Sequence, residues 1–308
     1  MNEPSYVERG GEQVFAQPFI AEDVQFFGFA VEADKGKLAA ICERYLNQPS
    51  GRSDFVPAVA HVLFVFNRLG KMYAKNPPDR DRGWYKEQEG AIWMLVLDKG
   101  RQNLFWFHPY MIVDSSYAMA MGREIYGFPK QMGWFNVPDG PQAPTRMSVD
   151  TVVAKALSPG CEALREQLFA AKHVRAATIP HKDHASLKEL VEHVANVLGI
   201  GVDVFEHPEL DKNLFEDLIH TRIPMVFLKQ IRDAVEPDLA CFQCVQLCLT
   251  KMTRFHDARL YFHSYAVEIG DYASHPIRTE LGLPPGDQRV DAAFWAKFDF
   301  EIGTCKEV

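Results

Sequence analysis

One lysine of the sequence stands in surroundings that suit a nucleophile better than a surface charge. The neighbours of Lys130 within five positions are mostly aromatic or apolar: Tyr126, Phe128, Met132, Trp134 and Phe135. Because burial disfavours a charged ammonium, these surroundings predict a lowered pKa for Lys130 and a neutral amine near pH 7. A neutral lysine attacks a ketone or aldehyde to form a Schiff base, which then withdraws electrons from adjacent bonds. The alternative is a lysine whose ammonium reaches solvent or pairs with Glu124.

The residues around this lysine resemble a known motif. Gly122-Arg123-Glu124 followed by Gly127-Phe128-Pro129-Lys130 is similar to the signature of the acetoacetate decarboxylase superfamily, whose lysine forms the Schiff base. Further segments resemble that family in the same order along the chain: residues 108–114, 227–230 and 275–284. The resemblance covers roughly residues 85–285, with a gap between about 160 and 222.

This resemblance implies a β-rich α+β fold, with an antiparallel barrel or cone of strands and peripheral helices. It also implies one domain over residues 1–308, a homo-oligomer, and chemistry that needs no cofactor and no metal. The sequence has no Gly-rich phosphate loop, so a nucleotide cofactor is not indicated.

A carboxylate near the lysine is the second part that this chemistry needs, because protons move around the imine and the enamine. Trp84-Tyr85-Lys86-Glu87 resembles the family segment in which an acid follows a tyrosine by two positions, which implies that Glu87 is the proton shuttle. Glu89 is the alternative, since strand side chains alternate and a register slip of two would exchange the two acids. A solvated hairpin tip over residues 86–89 is the competing interpretation.

Two positions depart from the family pattern. Gln131 stands where decarboxylases of the family commonly have a second lysine, so desolvation alone is left to lower the pKa of Lys130. Glu22 and Asp23 stand about where an N-terminal arginine is expected to hold the substrate carboxylate. Arg123 is then the nearest cation, either supporting the loop or binding the substrate anion.

The resemblance gives Phe128 and Gln131, with Arg123 and Glu89, as candidate substrate contacts around the nucleophile Lys130. The first reaction that it implies is decarboxylation of a β-keto acid. The alternatives are aldol condensation and dehydration of a keto acid with an aldehyde through the same lysine, and a non-catalytic binder of small carbonyl compounds.

Composition excludes several other classes of protein. The 308 residues carry a net charge of −8 without a basic stripe, which argues against nucleic acid as a partner. No window approaches 18 uninterrupted apolar residues, and residues 1–11 do not look like a secretory signal, so no membrane contact and a cytoplasmic location are predicted.

Two groups of cysteines and histidines could be read as metal sites but are better explained as structural residues. Cys241 should face opposite to Cys244 and Cys248 in an extended strand, so the three thiols would not converge on a metal. His181 and His184 precede a helix start and have no evident third ligand.

The first half of the sequence predicts the helices and strands that precede Lys130. Asp34 caps a short helix that should stop before Pro49, and residues 56–66 form a strand. Residues 91–98 and 103–113 form a hairpin, after which Asp114 caps a helix over residues 115–121 that ends at the Gly-Phe-Pro-Lys loop.

The second half contains the segment without a family match. Ser186 and Glu189 form a capping box before a helix that ends at Gly199, and a second helix is predicted over residues 209–220. Residues 160–222 are therefore predicted to be a helical insertion that covers the pocket, contacts another subunit or packs on the sheet. Strands are predicted to resume over residues 225–228, 239–251 and 258–268.

Overall fold

A computed structural model of the protein describes residues 5–178, 181–198 and 222–308. The helices in these residues are α1 (Lys35–Cys42), α2 (Gln48–Ser50), α3 (Ser116–Met121), α4 (Leu187–Leu198) and α5 (Ile277–Leu281), with π-helical turns at Glu43–Asn47 and Gly122–Tyr126 and a 3₁₀ turn at Asp79–Arg82. The strands are β1 (Phe19–Glu32), β2 (Phe55–Ala74), β3 (Tyr85–Asp98), β4 (Asn103–Val113), β5 (Lys130–Asn136), β6 (Arg146–Val153), β7 (Leu164–Arg175), β8 (His181–Lys182), β9 (Arg222–Arg232), β10 (Ala240–Tyr261), β11 (Ser264–Ile269), β12 (Gln288–Arg289) and β13 (Ala292–Glu307).

The strands form a ring with a second layer attached to it. Strands β4, β3, β2, β1, β13 and β10 are neighbours in that order, and β9 pairs with both β10 and β4, which closes the ring. Strands β5, β6, β7, β11 and β12 continue outward from β4. The predicted β-rich fold with a cone of strands and few helices is confirmed. Two pairings, β4 with β5 and β4 with β9, are parallel instead of antiparallel.

Apolar side chains pack on both faces of the ring because both faces are covered. On β1, Phe26 belongs to the cluster inside the ring, whereas Phe27 belongs to the cluster between the ring and the outer layer. In the outer cluster the rings of Phe64 and Phe66 on β2 each lie 5.4 Å from the ring of Phe169 on β7. Each fully buried phenylalanine contributes about 1.5–3 kcal/mol, so this contact fastens the outer layer to the ring.

The helix after β1 begins as predicted but ends later. Asp34 caps it, with Oδ1 accepting the amide of Lys37 at 2.8 Å. Helical backbone then continues through the turn at Glu43–Asn47 into α2, which contains Pro49. The predicted stop before Pro49 is wrong, because helical backbone extends through Pro49 to Ser50. The helix ends at Gly51 with a left-handed φ of 61°.

Several predicted strands are found with longer bounds. The strand predicted over residues 56–66 is part of β2, and the hairpin of β3 and β4 has the predicted ends at Asp98 and Asn103. The strands predicted over residues 239–251 and 258–268 are divided differently, because β10 runs unbroken to Tyr261. Irregular pairing with β13 lets β10 bend without ending.

The predicted helical insertion starts too early. Leu164–Arg175 is β7, which pairs with β6 and β11, so this part of residues 160–222 belongs to the sheet. Its buried run Leu168, Phe169, Ala170 and Ala171 shows neither strand nor helix periodicity, which hid the strand in the sequence.

The predicted capping box of α4 is confirmed. Ser186 Oγ accepts the amide of Glu189 at 3.2 Å, and the Glu189 carboxylate accepts the amide of Ser186 at 2.9 Å. Helix α4 packs on β2, β10 and β13. The helix predicted over residues 209–220 lies outside the described residues. No helix in the described parts of the chain is both long enough and apolar enough to cross a membrane.

The metal-ligand residue types are dispersed as predicted. Cys241 is exposed while Cys244 and Cys248 are buried, and all three thiols are free. His181 pairs with Asp183 at 3.3 Å, and His184 pairs with Asp257 at 3.2 Å.

Candidate active site

The loop that delivers Lys130 begins at a capped helix. Ser115 caps α3, with Oγ accepting the amide of Ala118 at 3.3 Å, so the prediction that Asp114 is the cap is wrong. Asp114 instead accepts the backbone amide of Gln88 at 2.7 Å and its side-chain amide at 3.0 Å. This pairing holds the beginning of β3 beside the loop.

Two glycines allow the chain to turn and the side chain of Lys130 to reach the protein interior. Gly127 has a φ of 84°, and a Cβ there would lie 2.5 Å from Cα of Lys229, so a side chain is excluded both by backbone strain and by space. At Gly122 the φ is an ordinary helical −61°. A Cβ at this position would nevertheless lie 2.5 Å from Cδ and 2.9 Å from Cε of Lys130. The lysine stem therefore passes over Gly122.

The ammonium of Lys130 ends between two carboxylates of β3. Its Nζ lies 2.9 Å from Oε1 of Glu87 and 3.7 Å from Oε2 of Glu89. The three residues are only 7%, 2% and 8% exposed. Both acids project from the same face of β3, as strand periodicity predicted, and they are buried, so the hairpin-tip interpretation of residues 86–89 is wrong.

A buried asparagine completes this cluster. Asn67 lies opposite Glu89 in the pairing of β2 with β3, and its Nδ2 donates to Oε1 of Glu89 at 3.0 Å. Oε2 of Glu87, in contrast, is buried without a hydrogen-bond partner. Asn67 was not predicted as a site residue, although an amide that directly follows the apolar run of residues 62–66 in β2 was a signal for it.

The carboxylates reverse the predicted pKa of the lysine. Burial lowers the pKa of Lys130, but the charges and hydrogen bonds of Glu87 and Glu89 outweigh burial and raise it above its ordinary value. The prediction of a neutral resting amine is therefore wrong. Burial and the charge of Glu87 raise the pKa of Glu89 to about 7, against the opposing effects of Lys130 and Asn67. Near neutral pH the ammonium of Lys130 therefore lies beside an acid, Glu89, that exchanges its proton.

A cavity of ≈ 190 Å³ lies inside the ring beside this cluster. Asn67, Glu89, His108 and Phe128 contribute to its wall, so the cavity reaches the groups that surround Nζ of Lys130. The ring of Phe128 lies 5.4 Å from that atom. Among the described residues that line the cavity, none is an arginine or a lysine.

His108 is a buried polar side chain without a partner in this wall. It is 1% exposed, and neither ring nitrogen has a hydrogen bond. Burial, with the charge of Lys130 acting in the same direction, lowers the pKa of His108 to about 3, so the imidazole is neutral. The indole Nε1 of Trp93, whose ring lies 4.5 Å away, is also unpaired. Sequence reasoning placed His108 in a family-like segment but gave it no role.

Two predicted substrate contacts lie elsewhere. Arg123 is exposed and its Nη1 donates to the backbone carbonyl of Lys130 at 3.2 Å, so it supports the loop. Gln131 is exposed on the other face of β5, with Oε1 3.0 Å from Nε2 of His275. Neither residue lines the cavity, so the predicted contact of Gln131 with substrate does not fit this placement.

The acidic pair at the N-terminal strand has surface partners. Glu22 lies 3.4 Å from Nζ of Lys71, and Asp23 lies 2.5 Å from Nζ of Lys297. From the same strand the apolar residues Val24 and Phe26 reach the cavity. Strand β1 therefore supplies no cation at the place where the family resemblance implies one.

One family model matches this chain, and several solved structures share its fold. The family model described as acetoacetate decarboxylase matches residues 4–208. An acetoacetate decarboxylase from Legionella pneumophila subsp. pneumophila str. Philadelphia 1 has a similar structure, with a TM-score of 0.62 and 15% identity over 100% of this chain and 92% of that one. An acetoacetate decarboxylase-like enzyme from Sphingomonas wittichii RW1 gives a TM-score of 0.56 and 14% identity over 96% and 94% of the two chains.

The enduracididine biosynthesis enzyme MppR, in its complex with pyruvate, gives a TM-score of 0.56 and 12% identity over 96% of this chain and 91% of that one. At these identities the structural likenesses show the fold. The comparison with curated protein sequences gave no significant match.

Proposed function

This chain belongs to the acetoacetate decarboxylase family, and from that premise we propose that it is an enzyme that processes keto acids through an imine at Lys130. The observation that carries the proposal is the buried cluster in which Nζ of Lys130 lies 2.9 Å from Glu87 and 3.7 Å from Glu89, at the end of an apolar cavity. A buried ion pair is a poor source of stability. An amine held beside two carboxyl groups, one of which lines an adjacent cavity, is a working arrangement for imine formation.

Imine formation begins with removal of a proton, because the resting lysine is an ammonium. Glu87 takes that proton, and the free amine attacks the carbonyl carbon of the substrate. Glu87 returns its proton to the oxyanion and then removes one from nitrogen, which leaves a neutral carbinolamine. Glu89, in its protonated form, gives its proton to the hydroxyl group, which leaves as water. The product is an iminium ion beside the carboxylate of Glu89 and the protonated Glu87, so charge is conserved through these steps.

The iminium ion then weakens a neighbouring bond. The proton held by Glu87 passes to Glu89, which restores the Glu87 carboxylate. Transfer of an adjacent C–H proton to Glu87 then gives an enamine that adds to an aldehyde, and loss of water from the adduct leaves an unsaturated iminium ion. Hydrolysis of this iminium ion releases the condensation product and returns the free lysine. Loss of carbon dioxide from a β-keto acid gives an enamine of the same kind. The described wall of the cavity contains no arginine or lysine to hold the carboxylate that a β-keto acid loses, whereas Glu89 lines the cavity and Glu87 lies 2.9 Å from Nζ of Lys130. This combination favours aldol condensation and dehydration, which need proton transfer, over decarboxylation of acetoacetate.

Trapping with borohydride tests the proposal. We expect that wild-type protein incubated with pyruvate and sodium borohydride gains the mass of the reduced adduct on Lys130, as located by peptide mass spectrometry. Acetoacetate should also be trapped but should release little carbon dioxide. Rapid carbon dioxide release from acetoacetate would support the simple decarboxylase instead. If no α- or β-keto acid gives an adduct, the protein is a binder of carbonyl compounds without this chemistry.

Gly122→Ala tests whether close packing of the Lys130 side chain over Gly122 is needed for imine formation. Alanine suits the helical backbone, but its Cβ would meet Cδ of Lys130 at 2.5 Å, so the ammonium must move away from Glu87. A displacement of about 1 Å can cost on the order of a hundredfold in rate, and we expect adduct formation to slow by at least about tenfold. Gly160→Ala is the matched control, because nothing lies within 4 Å of a Cβ there. Equal rates in the two variants would contradict the packing argument.

A further inference from the structure

The wall of the cavity indicates what the imine-forming substrate carries. Resting on the function proposed above, we propose that this substrate is a keto acid with a bulky uncharged apolar group, at least the size of a phenyl ring or a branched alkyl chain. The reacting carbonyl lies at Lys130, and the apolar group extends away from it under helix α4.

Helix α4 provides one side of this cavity. Leu190, Val191, Val194 and Ala195 on its inner face all line the space. The opposite side comes from the ring, where Phe294 and Phe298 on β13 and Met252 on β10 face the same space. Apart from Thr250 on β10, whose hydroxyl lies 4.0 Å from Sδ of Met225, the side chains at this end are aliphatic or aromatic on both sides, which is the lining that an apolar ligand group requires.

The other polar groups of the described wall gather at the end near Lys130. Asn67, Glu89 and His108 lie there, near the groups that surround Nζ of Lys130. His108 and Trp93 have ring nitrogens without partners, and an unpaired buried polar group costs about 1–3 kcal/mol. One substrate oxygen accepting from these neutral N–H groups removes that cost. A second charged group farther along the substrate would find no counterpart among the described lining residues.

The volume of the cavity also supports a bulky apolar group on the substrate. A dry apolar cavity of about 150 Å³ is known to bind benzene, and this cavity measures ≈ 190 Å³. The methyl group of pyruvate or acetoacetate would leave most of that space unfilled. Since burial of apolar surface stabilises a complex by about 25 cal/mol per Å², a larger group that fills the space should strengthen binding.

A series of 2-oxo acids tests the inference through the concentration that gives half-maximal borohydride trapping at Lys130. We expect this concentration to be lower for 4-phenyl-2-oxobutanoate and 4-methyl-2-oxopentanoate than for pyruvate, by about tenfold or more for the phenyl compound. For 2-oxoglutarate, which carries a charged group at a similar distance, it should be higher than for either apolar compound. Equal values across the series, with the adduct on Lys130, would overturn the inference and leave the proposed function standing. Absence of any adduct on Lys130 would overturn the proposed function itself.

Variants of helix α4 show where the apolar group lies. Ala195→Leu adds volume inside the cavity and should remove at least most of the preference for the phenyl compound while pyruvate is still trapped. Asn196→Leu is the control, because this neighbouring side chain is exposed. Leu190→Ala enlarges the cavity and should extend the preference to still larger groups, which keeps the test valid if Ala195→Leu fails to fold. An unchanged preference in both cavity variants would place the apolar group elsewhere and contradict the inference.

Discussion

Lys130→Arg is expected to abolish the borohydride-trapped adduct while the protein stays folded. A guanidinium remains protonated at every accessible pH, so it cannot attack a carbonyl carbon. It does keep a positive charge beside Glu87 and Glu89, which would otherwise be two buried carboxylates without a cation. Turnover of any keto acid substrate should fall by at least about a thousandfold, the order expected when a covalent nucleophile is removed. Peptide mass spectrometry after borohydride treatment measures the first effect, and thermal unfolding monitors the fold.

Two further variants make this result specific. Lys130→Met keeps the length of the side chain but removes its charge, so it should also lose the adduct and in addition lower the melting temperature, because the buried Glu87 and Glu89 lose their cationic partner. Lys229→Arg is the control lysine, since Nζ of Lys229 lies over the ring of Phe242 at 5.3 Å and outside the cluster. An adduct that persists in Lys130→Arg, or that disappears in Lys229→Arg, would place the nucleophile elsewhere.

The elements that the sequence predicted well are those with a local signal. The capping box at Ser186 and Glu189 and the turn between β3 and β4 each depend on a few adjacent residues, and the structure has them where they were expected. That Glu87 and Glu89 project from the same face of β3 follows from the alternation of side chains along a strand alone. The short run of β7, by contrast, has no period, so its place in the sheet depends on partners that lie far away in the sequence.

The electrostatics of the lysine could not be predicted from its neighbours in the sequence. The residues adjacent to Lys130 are apolar, and desolvation was the effect that they indicated. Glu87 is 43 positions away, and only the pairing of β3 with β4, and of β4 with β5, brings its carboxylate to 2.9 Å from Nζ. Asn67 and His108 arrive in the same way, from β2 and β4. Long-range strand pairing thus decided the sign of the pKa shift.

The cluster also couples protonation to folding. The pKa of Glu89 is raised from its ordinary value of about 4.5 to about 7 in the folded protein, so its ionised form is less favourable there than in the unfolded chain. Glu89 therefore lowers the free energy of unfolding progressively as pH rises from about 4.5 to about 7. Lys130 has a raised pKa and acts oppositely: its contribution is present below its ordinary pKa and is lost only as pH rises through the raised value in the fold.

Glu87→Gln and Glu89→Gln should separate the two acids by their effects on proton transfer. Exchange of the methyl protons of pyruvate for deuterium, followed by proton NMR, reports the step after imine formation. Glu87→Gln removes the nearest proton acceptor, so exchange should fall by about 10²–10⁴-fold. Borohydride trapping should persist, because loss of a negative partner lowers the pKa of Lys130 and makes the free amine available at lower pH.

Glu89→Gln provides the comparison within the same strand. Wild-type exchange should depend on pH with an apparent pKa near 7 that comes from Glu89, and this dependence should disappear in the variant. Its melting temperature should rise relative to wild type at pH 8 more than at pH 5, because the unfavourable buried charge exists only at the higher pH. Because Glu87 lies 2.9 Å from Nζ and Glu89 3.7 Å, the larger loss of exchange belongs to Glu87→Gln. The opposite order, with exchange kept in Glu87→Gln and lost in Glu89→Gln, would transfer the role of proton shuttle to Glu89.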